Sequence, residues 1–335
     1  MAPSTNLPPQ TLNWGLLSTA RINHALIPPL RQSKRNKLLA VASRSSETAR
    51  AYAEEWHIPR AYGSYAELLA DPDIHVIYNP LPNHLHAEWT VKALQAGKNV
   101  LCEKPLALSP AEVDDIIAAS AQTGKIAAEA FMYRHHAQTL YVKQLVDTGT
   151  IGEIRQVMGT FSFTLERSPD VRLDPAMGGG SIWDIGCYPI SYSRLILGTE
   201  PEEVFGWQHT GETGVDLTFV GQLKFPGNVF AQFDCSFQAP FRAEIEIVGS
   251  RGTIWIPNPY KPARSSKIFL THEGKTEPIR IKGTPVYLGE VEDIADAVLE
   301  GKPPRVSLHD SRANVGVILA LLQSAREGIP ISCRL

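Results

Sequence analysis

Cysteine is scarce in this chain: four in 335 residues, Cys102, Cys187, Cys235 and Cys333, with no CxxC pair among them. Such scatter argues against a disulfide framework and a structural zinc site, and it suits a reducing cytoplasm, the expected location. No apolar run reaches the roughly 18 residues that a membrane span requires. Neither sign of charge is in excess, since 32 Lys and Arg stand against 35 Asp and Glu, a formal net charge of −3. That balance gives no electrostatic case for nucleic acid or an anionic membrane. Repeats and low-complexity tracts are also missing. Residues 1–11 are proline-rich and polar, lack the charged and apolar regions of a signal peptide, and read as a flexible arm.

What is present points to an ordinary globular chain, with 43% hydrophobic and 20% charged residues. Its length exceeds the roughly 250–300 residues that one core usually serves, so two domains are expected. From residue 12 to 128, short apolar strands (Leu12–Leu17, Lys37–Ser43, Val76–Asn79, Asn99–Cys102) alternate with helices (Arg21–Gln32, Ser46–Trp56, Leu85–Ala96, Ser109–Thr123). Ser46 is a candidate N-cap. This alternation predicts βαβ units and a doubly wound parallel sheet of the dinucleotide-binding, Rossmann type. From residue 129 to 335 strand candidates dominate, at Gln156–Leu165, Glu203–His209, Leu217–Phe225, Val229–Phe237, Ala243–Val248 and Thr253–Ile256. They predict an α+β domain with a large, mostly antiparallel open sheet, a helix at Ser181–Leu197, and two late helices at Tyr287–Glu300 and Asp310–Glu327. The alternation in Phe230–Phe237 makes one strand face phenylalanine-rich, and covering it with a twin sheet predicts a homodimer or a dimer of dimers.

The first strand runs into Ser18-Thr19-Ala20-Arg21-Ile22. In a G-x-G-x-x-G turn two glycines would fall at Ser18 and Ala20; serine and alanine are the next smallest residues, and the two hydroxyls can donate to phosphate. An ordinary strand-to-helix turn is the alternative. The second strand ends in Ser43-Arg44-Ser45, where an NAD-selective site would carry an acid for the ribose hydroxyl. An arginine flanked by hydroxyls suits a 2′-phosphate, so NADP is the expected cofactor, with NAD less favoured.

Two further segments suggest chemistry. Glu103-Lys104-Pro105 ends a strand-like run, and a cis Pro105 would aim Lys104 into a cleft. Gly178-Gly179-Gly180 opens into a helix bearing Asp184 and Tyr188 at i and i+4, one helical face. An ammonium opposite a carboxylate and a phenol makes a proton-transfer site. Two competing readings stand beside it: Ser181-x-x-Asp184 has capping-box spacing, and Tyr188 could be a core tyrosine. His84, His86, His135 and His136 lack nearby Cys or acid ligands, so no metal is expected.

These segments, with Pro82-Asn83-His84-Leu85-His86, Ala96-Gly97-Lys98, Glu129 to Arg134 and Ile151-Gly152, resemble the Gfo/Idh/MocA family of NAD(P)-dependent oxidoreductases over nearly the whole chain. Many members carry His four residues after the aspartate; Tyr188 here resembles the branch of dimeric dihydrodiol dehydrogenases and NADP-dependent D-xylose dehydrogenases, in which Lys and Tyr serve catalysis. The resemblance implies cofactor contacts at Ser18 to Ile22, Ser43, Arg44, Asn79, Leu81, His84, His86, Glu103, Lys104 and Arg134, with His86 near the nicotinamide. It implies Lys104, Tyr188 and Asp184 as catalytic residues and Arg134, Phe163 and Arg172 in the substrate pocket. It also implies a sugar or polyol substrate, in an aldose 1-dehydrogenase reaction. A ketosugar (anhydrofructose-type) reductase, a trans-dihydrodiol dehydrogenase, a cofactor-dependent glycosidase and a non-catalytic dinucleotide sensor or repressor are the alternatives. In the expected mechanism the ammonium lowers the phenol's pKa, Tyr188 exchanges the hydroxyl proton, Lys104 stabilises the alkoxide and Asp184 holds a neighbouring hydroxyl.

Overall fold

The computed structural model describes residues 11–167 and 169–333; the expected arm, Thr11 apart, lies outside the described residues. Strands β1 (Leu12–Leu17), β2 (Asn36–Ala42), β3 (Arg60–Tyr62), β4 (Val76–Asn79), β5 (Asn99–Cys102) and β6 (Ala127–Glu129) form one sheet in the order 3-2-1-4-5-6. Every pairing in it is parallel. Helices α1 (Asn23–Gln32), α2 (Ser46–Glu55), α3 (Tyr65–Ala70), α4 (His86–Gln95) and α5 (Pro110–Thr123) connect the strands. Strand order reverses between β1 and β4, which opens a crevice beyond their carboxyl ends. The doubly wound prediction therefore holds. The short β3–α3 unit was not anticipated, because Arg60–Tyr62 is only half-buried and offers no apolar run.

Helix starts are set by local hydrogen bonds. Ser109 and Glu112 form a reciprocal capping box on α5, with Pro110 in the first turn. On α2 the cap is Ser45 rather than Ser46, since Ser45 keeps an extended backbone and its hydroxyl accepts the Thr48 N–H.

Past α6 (Ala137–Asp147) the second sheet begins with β7 (Ile154–Ser162). Helix α7 (Cys187–Leu197) follows, then β8 (Glu203–Thr210), β9 (Asp216–Phe225), β10 (Val229–Ser236), β11 (Arg242–Gly249), β12 (Gly252–Pro257), β13 (Ser265–His272) and β14 (Lys275–Lys282). Helices α8 (Leu288–Glu300) and α9 (Leu308–Glu327) and the short β15 (Ile331–Ser332) end the chain. The order is 14-13-12-11-7-10-9-8-15, antiparallel except for the β10–β7 pair. Strands β13 and β14 escaped prediction because their outer halves carry polar side chains at most positions.

The register corrects one expectation about this sheet. Phe233 and Phe237 are buried beneath the covered face, and Phe233 stacks on Phe219. The open face carries Trp207, Val220, Phe230 and Trp255 among Gln222, Gln232 and Glu246. Alternation identifies two faces but not which one the helices cover.

An ion-pair cluster ties the halves together, and a buried carboxyl group braces the first half. Arg35, before β2, reaches Glu292 and Asp296 at 2.6 Å and Glu300 at 2.8 Å, one stripe of α8. Glu129, at the end of β6, accepts the Leu106 N–H at 2.9 Å and so pins the loop that follows β5. Complete burial lifts the Glu129 carboxyl from 4.5 to about 7, so its neutral form is favoured in the folded chain. A raised carboxyl pKa stabilises the fold most below pH 4.5, and that contribution is lost as pH climbs toward 7. Denaturant unfolding of wild type and Glu129→Gln across this window should show the two curves diverging by about 1 kcal/mol per pH unit. Parallel curves would contradict the assignment.

Candidate active site

A cleft of about 840 Å³ lies beyond the carboxyl ends of β1, β2, β4 and β5. At its nucleotide end stand Ser18, Thr19, Ala20, Ile22 and Arg44. Ser18 has φ +102°, the left-handed region that a glycine at this point of the turn would adopt without strain. Its hydroxyl is buried and has no partner within the described chain. A buried, unpaired hydroxyl and a guanidinium, both facing one cleft, suit phosphate oxygens. The residues present therefore fit an adenine dinucleotide bearing a 2′-phosphate. Tyr65, which the sequence did not single out, joins Arg44 on this wall.

At the far end the walls are Lys104, Asp184, Tyr188, Phe161, Phe163 and Arg172. The Lys104–Pro105 bond is cis. Lys104 Nζ donates to the Asp184 carboxylate at 2.9 Å and to the Asp184 backbone carbonyl at 2.6 Å. The turn Ile182–Gly186 that supplies both oxygens is π-helical rather than α-helical. In a π-helix the partner of the Asp184 carbonyl would be the N–H of residue 189, and Pro189 has none. That carbonyl accepts instead from the Lys104 ammonium and from the Cys187 thiol.

The capping-box reading of Asp184 does not survive. Ser181 makes no cap; its hydroxyl donates to Asp216 on β9 at 2.6 Å, and the same carboxylate accepts the Ile182 N–H at 2.8 Å. A cap from a neighbouring strand leaves the Asp184 carboxylate to the cleft. Its second oxygen accepts from Arg172 Nε at 2.6 Å, and Arg172 Nη1 donates to Asp170. The loop that delivers Arg172 turns on Gly179: a Cβ there would sit 2.6 Å from the Arg172 carbonyl oxygen. One hydrogen bond on each oxygen fixes the Asp184 carboxylate between Lys104 and Arg172 and leaves each oxygen a further lone pair.

Electrostatics follow from this geometry. Burial alone would raise the Asp184 pKa, but Lys104 and Arg172 outweigh it and hold the carboxyl far below its usual range. Burial likewise opposes the Lys104 charge, and Asp184 with Glu103 reverses that, so its pKa is raised. Tyr188 moves opposite to expectation. Its ring is packed against Phe131, Phe161 and Tyr260, and burial pushes the phenol well above 10 although Lys104 lies 5.2 Å from the ring centroid.

The remaining expected residues divide. Leu81, His84, His86 and Glu103 line the cleft. His86 is buried between the Pro105 and Leu81 carbonyls, at 2.7 and 2.6 Å, and burial drives its pKa down to about 4. It is a strut that joins two cleft loops. Glu103 accepts from Tyr78 at 2.5 Å. Arg21, Ser43, Asn79 and Arg134 are not on the cleft wall. Arg21 is exposed on the outside of the turn, and the Ser43 N–H serves Tyr62 in the sheet. Asn79 turns inward to the His86 carbonyl and the Thr90 hydroxyl. Arg134 is buried against Ser191 and Asp310, joining α7 to α9. His135 meets Asp293, and His136 caps α6. Lys261, Phe241 and Tyr287 line the cleft unpredicted. They sit in connections between elements, where periodicity carries no signal.

Comparison with known proteins agrees with this geometry. Residues 12–131 match the model of an oxidoreductase family with an NAD-binding Rossmann fold, and residues 139–255 match the GFO/IDH/MocA C-terminal domain. The NADP(+)-dependent D-xylose 1-dehydrogenase 2 of Haloferax volcanii is 35% identical, with 95% of this chain and 98% of that one covered. The trans-1,2-dihydrobenzene-1,2-diol dehydrogenase of Xenopus laevis is 32% identical over 95% and 98% of the two chains. Among solved structures, a 3-ketoreductase of Actinomadura kijaniata in complex with NADP and TDP-benzene is 29% identical, covers 94% and 98% of the chains, and superimposes with a TM-score of 0.89. The chain thus belongs to the Gfo/Idh/MocA family of NAD(P)-dependent oxidoreductases.

Proposed function

We propose that the chain is an NADP(H)-dependent oxidoreductase whose substrate is a sugar or polyol, handled in the manner of an aldose 1-dehydrogenase. The observation that carries this reading is the charged Lys104–Asp184–Arg172 row beside Tyr188, at the end of the cleft away from Ser18 and Arg44. The Haloferax relative's name, a D-xylose 1-dehydrogenase, supports the substrate class. Bound nicotinamide supplies the hydride chemistry. Lys104, fixed by two oxygens of Asp184, presents its remaining N–H to a substrate oxygen and stabilises negative charge there. Tyr188 exchanges the proton of that same oxygen.

A second reading, reduction of a ketosugar, rests on the raised phenol pKa of Tyr188. A protonated phenol is ready to donate at neutral pH, whereas oxidation requires it to accept. The wall of Phe161, Phe163 and Phe241 offers an apolar surface to the carbon face of a ring in either direction.

The open face of the second sheet is proposed as the contact with a second copy. Trp207, Val220, Phe230 and Trp255 are between 39% and 56% exposed on one side of it. Light scattering at micromolar concentration should give a dimer or a multiple of it; a monomer would contradict this.

Cofactor choice is tested at Arg44. Arg44→Ala should weaken NADP roughly ten- to hundredfold, the loss of a charge-assisted contact of about 1.5–3 kcal/mol, with NAD hardly affected. Equal affinity of the unaltered protein for both cofactors would defeat the NADP assignment.

The proton path is tested at the other end. Lys104→Met and Tyr188→Phe should each lower kcat by about 10²–10⁴ while NADP still binds. Oxidation by wild type should speed up as pH rises toward the phenol's pKa, and reduction should slow over the same range. Full kcat in Tyr188→Phe at every pH would return Tyr188 to the core.

A further inference from the structure

The mechanism leaves one charged side chain in the cleft without a role. Lys261 sits in Asn258-Pro259-Tyr260-Lys261-Pro262, after β12. Tyr260 is fully buried, its ring stacked on Phe161 at 4.9 Å and tilted against Tyr188 at 5.4 Å. The Asn258 N–H is tied to the Ala243 carbonyl at 2.8 Å, and the two prolines restrict the backbone on either side of the Tyr-Lys pair. An anchored segment therefore delivers Lys261 to the cleft wall.

No acceptor within the described chain meets it. The charges that act on Lys261 are those of Lys104, Asp184, Glu103 and Arg172. Both carboxylates are engaged, Asp184 with Lys104 and Arg172, Glu103 with Tyr78. Arg172 spends Nε on Asp184 and Nη1 on Asp170, and its Nη2 makes no hydrogen bond among the described residues. The solvent-accessible Lys261 ammonium and the free Nη2 edge of Arg172 thus present unused cationic donors to one cleft. Burial and the Lys104 charge pull the Lys261 pKa down by more than Asp184 and Glu103 raise it. Cofactor phosphates would not relieve that lowering, because their donors, Ser18 and Arg44, follow β1 and β2, whereas Lys261 stands among the groups of the catalytic end.

We infer that Lys261 and the Nη2 edge of Arg172 form an anion subsite in the substrate half of the cleft, so that the preferred substrate is a sugar bearing a carboxylate or a phosphate. The inference rests on the sugar-oxidoreductase reading above and narrows its substrate class. It is tested by quenching of NADPH fluorescence in the cofactor-loaded protein, with each pentose and hexose offered as parent sugar, uronate and terminal phosphate. The anionic members should bind at least about tenfold more tightly than the parent, and the advantage should shrink with salt. Lys261→Gln, with an unchanged unfolding midpoint, should abolish the advantage, and Lys261→Arg should keep it. The uronate and phosphate arms distinguish the source of the charge, and tighter binding of either supports the subsite. Parent sugars bound as tightly as their anionic forms, or an advantage that persists in Lys261→Gln, would overturn it while leaving the sugar reading intact. Failure of every sugar to bind the NADPH-loaded protein would overturn both.

Discussion

The double contact between the Lys104 ammonium and Asp184 is the interaction on which the rest of the site depends. It spans the two halves of the chain, from the end of a parallel strand to the first turn of a helix packed on the other sheet. An ion pair this sheltered persists only where hydrogen bonds replace the lost water. Here they do: one carboxylate oxygen and the carbonyl take Lys104, and the other oxygen takes Arg172. Charge is therefore fixed in place before any substrate arrives, which is how a preorganised site stabilises an oxyanion.

Around that pair, each supporting element has a distinct physical task. Asp216 caps the π-helical turn from a neighbouring strand, which frees Asp184 from that duty. Pro189 withholds the N–H that a π ladder would direct at the Asp184 carbonyl. Glu129 and His86 hold the loop after β5 through Leu106 and Pro105. Arg172 arrives on a loop whose close backbone approach at Gly179 excludes any side chain. Removing any one of these would loosen the geometry of Lys104 without touching the reacting atoms.

Much of this was legible in the residues. Alternating apolar strands and capped helices specify the parallel sheet, because each element's period matches its burial. The end of β2 and the Glu103-Lys104-Pro105 segment could be located because ligands in such sheets gather at strand ends. Other features were not legible. Asn79 and Arg134 are polar residues next to the site whose side chains turn inward, and sequence position does not give side-chain direction. The direction of the phenol's pKa is set by the aromatic packing that buries Tyr188, which overrides the neighbouring ammonium and is a tertiary feature. Lys261 stands in a connection without periodicity, where its proline-flanked Tyr-Lys pair is the one local signal of a rigid, exposed cation. The face of β10 that remains open depends on which side the helices settle, a tertiary fact.

Direct titration of the Lys104 ammonium tests the central claim most cleanly. Lysine-selective NMR on the NADP-loaded protein, with Lys104→Met assigning the signal, would follow its proton in wild type and in Asp184→Asn. The structure predicts a pKa above the ordinary 10.5 in wild type, because Asp184 and Glu103 overcome burial, and a fall below 10.5 once Asp184 is neutral. Identical titration in the two proteins would contradict the account.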